Sequence, residues 1–183
     1  LVINLPNNLG IGGAVQTGLK YALETGYDVA VQFDGDGQHL ATEIEVLLTS
    51  LLSGNADVVI GSRFVGSASY SPPPFRKLGI LVLKYANRLL TGQTITDNTS
   101  GCRACNRRAL SFLAEYYPQD YPEPQAVVEL IKNGFRLVEV PVRMRERQGG
   151  DSSIGMLSSV YYVIKVLLSN TIASSRRPVI TRD

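Results

Sequence analysis

The hydrophobic positions in the first third of the chain predict strands and helices in alternation. Residues 1–5 and 29–33 have the short apolar pattern of strands, and the second run is rich in β-branched side chains. A helix that ends at Gly26 is predicted between them, because apolar side chains recur at i, i+4, i+7 and i+8: Val15, Leu19, Ala22 and Leu23.

The alternation continues with one more helix and one more strand. Thr42 and Glu45 have capping-box spacing at the start of an apolar helical stripe that ends at Gly54, and residues 57–61 form another apolar run. This order predicts right-handed βαβ crossovers, and hence an α/β fold with a mainly parallel sheet and helices on both faces. Ligands of such sheets bind at the carboxyl ends of the strands.

The rest of the chain predicts mostly helices. Helical patterns cover about residues 76–91, 105–117 and 124–133, a strand covers 137–142, and a long apolar helix covers 156–173. Lys165, Asn170 and several serines make this last helix an interfacial or packed helix rather than a membrane span. The Gly/Ser/Pro-rich loop 66–75 is predicted to be a mobile loop over a site.

Composition narrows the function classes. The chain of 183 residues, with 44% hydrophobic and 19% charged residues, is a globular protein of about one domain, which excludes disorder and coiled coil. Its net charge of +2 gives no general attraction to nucleic acid, so no nucleic-acid partner is expected. Two cysteines cannot form a disulfide framework, and we expect a reduced, intracellular setting.

The most informative segment is Asp-Gly-Asp-Gly-Gln-His at residues 34–39, directly after the apolar strand 29–33. Two carboxylates at a strand's carboxyl end, with glycines that let the backbone turn, present hard oxygen ligands to a divalent cation. Such an ion could hold a diphosphate and neutralise the charge of a departing nucleotide. A simple Asp/Gly-rich turn is the alternative interpretation, and His39 is expected to be a structural neighbour of the turn.

Two further segments have ambiguous motif spacing. The Gly-rich segment 7–14 resembles a phosphate-binding loop but lacks the P-loop Lys-Ser/Thr pair, so a tight turn with close helix–sheet packing explains it equally well. Cys102 and Cys105 have redox or zinc spacing, but the chain has one histidine and no third cysteine. Buried small side chains are therefore the favoured interpretation of the cysteine pair.

Basic residues gather beside two turn-forming segments. Arg63, Arg76 and Lys77 flank the Pro-rich loop, and Arg143, Arg145 and Arg147 lead into a Gly-rich turn. Arginine forks match phosphate oxygens, which favours anion binding. A solvated strand edge explains the second group equally well, because alternation places its three arginines on one face.

Six motifs in this order resemble one family over nearly the whole chain. They are Asn8-x-Gly10 with Gly18, Asp34 to His39, Gly61-Ser62-Arg63, Thr99 to Arg103, Glu139 to Val142, and Arg147 to Ile154. The set resembles the family-two inverting glycosyltransferases of the GT-A fold, and within them the dolichyl- or polyprenyl-phosphate sugar transferases.

The resemblance implies a nucleotide diphosphate sugar as donor, a polyprenyl phosphate as acceptor, and Mg²⁺ or Mn²⁺ as cofactor. It assigns the metal to Asp34, Asp36 and Gln38, and catalysis to Asp34, Asp36, Asp97 and Arg103. It assigns donor binding to Asn8, Gly10, Gly12, Asp34 and Arg63. It assigns the acceptor phosphate to Arg63, Arg76, Arg147 and Ser152.

The resemblance also carries expectations about organisation and location. We expect a catalytic domain over residues 1–155 that lacks the family's N-terminal strands, followed by an amphipathic helix and tail over 156–183. The expected location is the cytoplasmic face of the membrane, with a membrane surface, a membrane protein or a second copy of the chain as partners. Two alternatives stay open: transfer to a saccharide hydroxyl, and a non-catalytic module that binds a membrane partner.

Overall fold

The structure is a computed structural model that describes residues 1–66, 74–145 and 156–179. Ten elements follow one another along the described chain. They are α1 (Gly10–Glu24), β1 (Val29–Gln32), α2 (Glu43–Leu52), β2 (Val58–Ser62), α3 (Pro74–Thr91), β3 (Arg103–Asn106), α4 (Arg107–Tyr116), α5 (Pro122–Lys132), β4 (Leu137–Pro141) and α6 (Met156–Ser175).

The four strands form one sheet in the order β1-β3-β2-β4. β2 and β4 are parallel, whereas β3 is antiparallel to both β1 and β2. β1, β2 and β4 therefore run in the same direction, which confirms the predicted α/β class and its mainly parallel direction. Their carboxyl ends meet at one edge of the sheet, where the Asp34 segment begins.

The antiparallel strand β3 was not predicted. The sequence pattern favours a helix from residue 105, but the helix begins at Arg107 and residues 103–106 pair with both neighbouring strands. Side chains alternate along this short strand, with Ala104 in one apolar cluster and Cys105 in the other. Pairing on both sides overrides the local helical pattern.

Apolar side chains cover both faces of the sheet. On β2, Val58 and Ile60 pack on one face, against residues of α1, α4 and α5. Val59 packs on the other face, against Leu47 and Leu51 of α2. This alternation of buried residues confirms the predicted helices on both faces.

Two local predictions were wrong. Residues 1–5 are not a strand; Leu1 is 95% exposed and Val2 is 81% exposed, and no strand of the described residues pairs with this segment. Without a ladder partner, the apolar pattern alone does not make a strand. Thr42 does precede α2, but its side chain makes no capping hydrogen bond, because its backbone is already helical.

At the amino end of β2, a buried carboxylate ties three segments together. The side chain of Asp57 is 5% exposed and accepts hydrogen bonds from Asn106 Nδ2 at 3.0 Å, Arg108 Nη1 at 3.1 Å and the Arg136 amide at 2.8 Å. Burial opposes ionisation of this carboxyl, but the hydrogen bonds and the two guanidinium groups together lower its pKa below the ordinary value. Asp57 thereby joins the strands β3 and β4 to β2.

We expect Asp57→Asn to lower the free energy of unfolding by about 2 kcal/mol at pH 7, because a buried ionic acceptor is lost. The lowered pKa means that this stabilisation is present above the ordinary Asp pKa of about 3.9 and is lost as the pH falls through the folded-state value. Urea denaturation at pH 7 and pH 3 measures both effects. Asp28→Asn is the control, since that side chain is 87% exposed. A deficit of equal size at both pH values would contradict the assignment.

Candidate active site

The segment after β1 packs its first carboxylate against a glycine of the neighbouring loop. A Cβ on Gly101 would lie 2.7 Å from Asp34 Oδ1 and 2.8 Å from Asp34 Cγ, so only glycine leaves room for this carboxylate. The Asp34 side chain is 39% exposed. Asp34 therefore lies between the loop before β3 and the solvent at the carboxyl edge of the sheet.

His39 is the buried partner of Asp34 in this turn. Its Nε2 lies 3.3 Å from Asp34 Oδ2, its ring lies 5.2 Å from the ring of Phe33, and the residue is 8% exposed. Burial lowers the His39 pKa, but hydrogen bonds to Asp34 and Cys102 and their charges raise it, with a net value of about 9. The buried imidazole thus contacts the first carboxylate of the turn, in agreement with its prediction as a structural neighbour of the turn.

The second carboxylate lies at the tip of the turn. The Gln38 amide donates to Asp36 Oδ1 at 3.0 Å, which fixes the Asp36 side chain over the turn, and Asp36 is exposed. Backbone contacts join the turn to the segment after β4. The Arg145 amide donates to the Gln38 carbonyl at 2.8 Å, and His39 and Met144 form an isolated antiparallel β-bridge. Asp34, Asp36 and Gln38 therefore lie in one short turn, as predicted.

Arg63, directly after β2, forms a bidentate ion pair with Asp97. Arg63 Nε and Nη2 donate to Asp97 Oδ2 and Oδ1 at 2.7 and 2.6 Å, and Nη2 also donates to Thr99 Oγ1 at 2.8 Å. The Arg63 side chain is 15% exposed and that of Asp97 is fully buried. Fork-to-fork pairing of this kind fixes the plane of the guanidinium.

Glu139 of β4 holds the loop that carries Asp97. Its carboxylate accepts from the Thr96 amide, the Thr96 hydroxyl and the Asp97 amide at 2.7 to 2.8 Å. Glu139 belongs to one of the motifs that carry the family resemblance, but the sequence predicts no role for it. An acidic residue in an otherwise apolar strand is the signal that identifies such a half-buried anchor.

Arg103 supports the same loop from within the core. It is 6% exposed, and its guanidinium donates to the carbonyls of Ser100 and Asn98 at 2.8 and 3.1 Å. Ser100 adds a hydrogen bond from its hydroxyl to the Gly61 carbonyl at 2.6 Å. Residues 96–101, which we call the site loop, therefore contact Asp34 through Gly101 and Arg63 through Asp97 and Thr99.

The predicted donor residues at the start of α1 have local partners. Asn8 Oδ1 accepts from the Gly10 amide at 2.9 Å, and Gly10 has φ +70°, which favours glycine. A Cβ on Gly12 would lie 2.6 Å from the carbonyl oxygens of Pro118 and Gln119. No hydrogen bond within the described residues joins this segment to Asp34 or Asp36. The tight-turn interpretation is supported at Gly10, and Gly12 is closely packed, but against the loop between α4 and α5 rather than against the sheet.

Some predicted residues fall outside the description. Arg147 and Ser152 lie outside the described residues, as does most of the predicted mobile loop 66–75. Arg76 lies in the first turn of α3, and its side chain is not described. Cys102 and Cys105 are buried free thiols in different apolar clusters, and burial raises the pKa of Cys105 to about 12. This supports their interpretation as core residues.

The oxygen ligands of the turn fit a divalent metal. Asp34 and Asp36 supply carboxylates and Gln38 supplies an amide, which are the hard ligands that Mg²⁺ and Mn²⁺ take. Within residues 1–66, 74–145 and 156–179, no three His, Cys, Asp or Glu side chains form a complete metal cage. Mg²⁺ is commonly held by one or two carboxylates together with substrate phosphates, so the site fits a metal that arrives with a phosphorylated substrate.

Comparison with known proteins identifies the family. The model of glycosyl transferase family 2 matches residues 1–113, the part of the chain that contains the Asp34 turn, Arg63 and the site loop. The chain belongs to glycosyl transferase family 2. The predicted family is therefore confirmed.

The relatives of this family 2 chain include enzymes of the polyprenyl-phosphate branch. It is 36% identical over 146 residues to a UDP-N-acetylglucosamine–dolichyl-phosphate N-acetylglucosaminyltransferase of Methanococcus voltae, covering 78% of the chain and 58% of the relative. It is 35% identical over 159 residues to a polyprenol monophosphomannose synthase of Mycolicibacterium smegmatis, covering 84% and 59%. The chain thus spans about three fifths of the length of these relatives.

A solved structure of similar fold supports the GT-A assignment. Glucosyl-3-phosphoglycerate synthase of Mycobacterium tuberculosis, in complex with Mn²⁺, UDP-glucose and phosphoglyceric acid, matches the family 2 chain with a TM-score of 0.61 and 22% identity. The match covers 91% of this chain and 56% of that one. At this identity the likeness shows the fold.

The pKa of His39 gives a direct test of the turn. Because the chain has one histidine, its NMR signals need no assignment by mutation. We expect titration near pH 9, and a markedly lower pKa in Asp34→Asn, because burial then acts with less opposition. The Asp34–His39 contribution to stability is present below the ordinary His pKa of about 6.5 and is lost as the pH rises through about 9.

Asp36→Asn is the matched control for this titration, because Asp36 contacts Gln38 rather than the imidazole. We expect its His39 pKa to stay close to that of the unsubstituted chain. A His39 pKa near 6.5 in the unsubstituted chain would contradict the described geometry.

Proposed function

We propose that this chain is the catalytic domain of a metal-dependent inverting glycosyltransferase that transfers a hexose from a nucleotide diphosphate sugar to a polyprenyl phosphate. One observation carries the proposal: the site loop brings the carboxylate turn after β1 and the arginine after β2 to the same edge of the sheet. Carboxylates for a metal and a guanidinium for phosphate are the two groups that transfer between phosphorylated substrates requires.

The carboxylate turn receives the donor in this proposal. Asp34, Asp36 and Gln38 would hold Mg²⁺ or Mn²⁺, and the ion would supply positive charge to the donor diphosphate. Asn8 and Gly10 at the start of α1 are exposed and are the further donor-binding residues of this proposal, whereas Gly12 is buried against Pro118 and Gln119 and supports the segment from within. The name of the Methanococcus voltae relative, which includes UDP-N-acetylglucosamine, and the solved structure of similar fold with Mn²⁺ and UDP-glucose support this role.

In this proposal, Arg63 binds the phosphate groups of both the donor and the acceptor. The site for the acceptor phosphate also includes Arg76, Arg147 and Ser152. Asp97 fixes the plane of the Arg63 guanidinium, and Arg103 shapes the loop that carries Asp97. Both residues therefore act on the reaction through Arg63, as positioning residues. Preorganised charge of this kind stabilises developing charge without reorganisation during the reaction.

The burial of Asp97 favours a phosphate acceptor over a saccharide hydroxyl. A hydroxyl must lose its proton during transfer, which calls for a base within reach. Asp97 is fully buried and both of its oxygens accept from Arg63. A phosphate oxygen is already anionic at pH 7, so it attacks the anomeric carbon directly as the bond to the diphosphate oxygen breaks.

Transfer of radiolabelled hexose to undecaprenyl phosphate with Mn²⁺ tests the proposal, with UDP- and GDP-sugars as donors. We expect Asp36→Asn to lower the rate by about a hundredfold or more, because a metal ligand is lost. Asp28→Asn is the control, an exposed carboxylate at the opposite end of β1. Equal rates for the Asp36 variant and the unsubstituted chain would refute the metal role, and turnover only with a soluble saccharide would favour the hydroxyl-acceptor alternative.

A pair of glycine variants gives a second comparison, by calorimetry. Gly101→Ala forces a Cβ onto the Asp34 carboxylate, whereas Gly35→Ala meets nothing within 4 Å. We expect calorimetry with Mn²⁺ and nucleoside diphosphate to show weakened binding in the first variant and near-normal binding in the second. No heat with any nucleotide in the unsubstituted chain would support a non-catalytic binding module.

The exposed face of α3 and α6 supports action at a membrane surface. One stripe of exposed apolar side chains follows each helix: Leu78, Leu81, Val82, Tyr85 and Leu89 on α3, and Tyr161, Ile164, Leu168 and Ile172 on α6. We call these residues the apolar stripe. Over the part of the chain that the structure describes, no helix is both long enough and apolar enough to cross a bilayer.

Charge favours an anionic lipid surface as the partner of the apolar stripe. Neither α3 nor α6 contains Asp or Glu, and exposed cations lie beside the stripe at Lys77, Arg88, Lys165, Arg176 and Arg177. Apolar burial and attraction to anionic headgroups act together in interfacial helices. The proposed location is therefore peripheral on the membrane surface, at its cytoplasmic face.

Co-sedimentation with vesicles tests this placement. We expect binding to phosphatidylglycerol vesicles, weaker binding to phosphatidylcholine vesicles, and about a tenfold loss on Leu89→Ser with Leu168→Ser, since these side chains are 87% and 57% exposed. Leu52→Ser is the control, because Leu52 is 72% exposed on α2. Equal loss in the control would show that the apolar stripe has no special role.

A further inference from the structure

Three buried asparagines connect α6, through α3, to the site loop. Asn170 Nδ2 donates to Asn87 Oδ1 at 2.8 Å, and Asn87 Nδ2 donates to Asn98 Oδ1 at 2.8 Å. The three residues are 0%, 1% and 3% exposed, respectively. We call these three residues the amide chain.

The amide chain ends at the residue between the two partners of Arg63. Asn98 donates onward to the Ile95 carbonyl at 3.0 Å, and its own carbonyl accepts from Arg103. Its sequence neighbours Asp97 and Thr99 both accept from the Arg63 guanidinium. The side chain of Asn98 therefore fixes the segment that orients Arg63.

Stability alone does not account for the amide chain. Asn87 and Asn170 lie on inner faces that are otherwise apolar, beside Leu83, Val166 and Ala173, all of which are buried. Among the described atoms, the buried Oδ1 of Asn170 has no hydrogen-bond partner. A buried acceptor without a donor is unfavourable, whereas apolar replacement of both partners of a buried hydrogen bond is close to neutral.

We propose that Asn87 and Asn170 are positioning residues that couple the placement of the membrane-facing helices α3 and α6 to the orientation of Arg63. This inference rests on the proposed function, because it gives Arg63 a phosphate to orient toward. The apolar stripe lies on the outer face of the same two helices whose inner faces contribute the amide chain. Movement of either helix therefore changes the hydrogen bonds that hold the site loop.

A pair of variants separates this role from a purely structural one. Asn87→Leu leaves Asn98 Oδ1 without its donor and Asn170 Nδ2 without its acceptor, so we expect a lower Tm. Adding Asn170→Leu removes both polar groups of residue 170 and creates an apolar contact between α3 and α6. The double variant then has one unpaired acceptor, Asn98 Oδ1, in place of the unpaired Asn170 Oδ1 of the unsubstituted chain. We expect the Tm of the double variant to return to within about 2 °C of the unsubstituted chain.

Hydrogen–deuterium exchange reports on the site loop in these variants. The amides of Thr96 and Asp97 are protected by Glu139, so loosening of the loop speeds their exchange. We expect exchange at these amides to be about tenfold faster in Asn87→Leu than in the unsubstituted chain. In the double variant we expect the same fast exchange as in Asn87→Leu, although its Tm has recovered. Recovery of slow exchange together with Tm would overturn the proposal, as would unchanged exchange in Asn87→Leu.

Ser169→Ala is the matched control for the coupling. Its hydroxyl donates to Gln125 Oε1 at 2.6 Å, so this variant loses a hydrogen bond between α6 and α5 that does not lead to the site loop. We expect normal exchange at Thr96 and Asp97 in this control. Accelerated exchange there would show that any disturbance of α6 reaches the loop, and would overturn the role of the asparagines.

Transfer kinetics extend the test to function. We expect the double variant to raise KM for the polyprenyl phosphate about tenfold with little change in kcat, because Arg63 is present but poorly oriented. A normal KM beside fast loop exchange would overturn the link to Arg63. Absence of transfer by the unsubstituted chain would count against the proposed function alone, since the exchange comparison still decides whether the amide chain holds the loop.

Discussion

The carboxylate of Glu139 is the constraint on which the polar edge of the sheet depends. A loop that buries backbone groups must find partners for them, and the amides of Thr96 and Asp97 find theirs in this one side chain. Because Glu139 holds the loop in this position, Asp97 lies fully buried and pairs with Arg63 through both of its carboxylate oxygens. The same loop then carries Gly101 beneath Asp34, so the two halves of the site are set by one anchor.

Charge is distributed differently at the two ends of the sheet. At the amino end, Asp57 accepts from donors of β3, of α4 and of the residue before β4, and its role is to join these elements. At the carboxyl end, the pairs Arg63–Asp97 and His39–Asp34 each have one buried member and one partly exposed member: the side chain of Arg63 is 15% exposed and that of Asp34 is 39% exposed. A charged group that is oriented from behind and exposed in front is preorganised for a ligand. This difference is why the carboxyl edge is the candidate site.

The sequence predicted the turn at residues 34–39 well because all of its signals are local. Carboxylates, glycines and a preceding apolar strand lie within a short segment, and the structure confirms the strand and the turn. β3, Glu139 and the amide chain depend on contacts between residues far apart in sequence, such as Thr96 with Glu139 and Asn87 with Asn170. The strand prediction for residues 1–5 was wrong because a strand also needs a partner: no strand of the described residues lies beside this segment to pair with it.

Helix α3 connects these observations, because its two faces have different tasks. Leu83 and Asn87 face inward and are buried, while Tyr85 and Leu89 of the apolar stripe face outward and are 60% and 87% exposed. Successive residues of an α-helix are rotated by about 100°, so a shift of one position that brings Arg88 to the place of Asn87 would bury its charge. The helix therefore has one acceptable rotation. Any surface that fixes its outer face also fixes the amide at Asn98, and through it the guanidinium of Arg63.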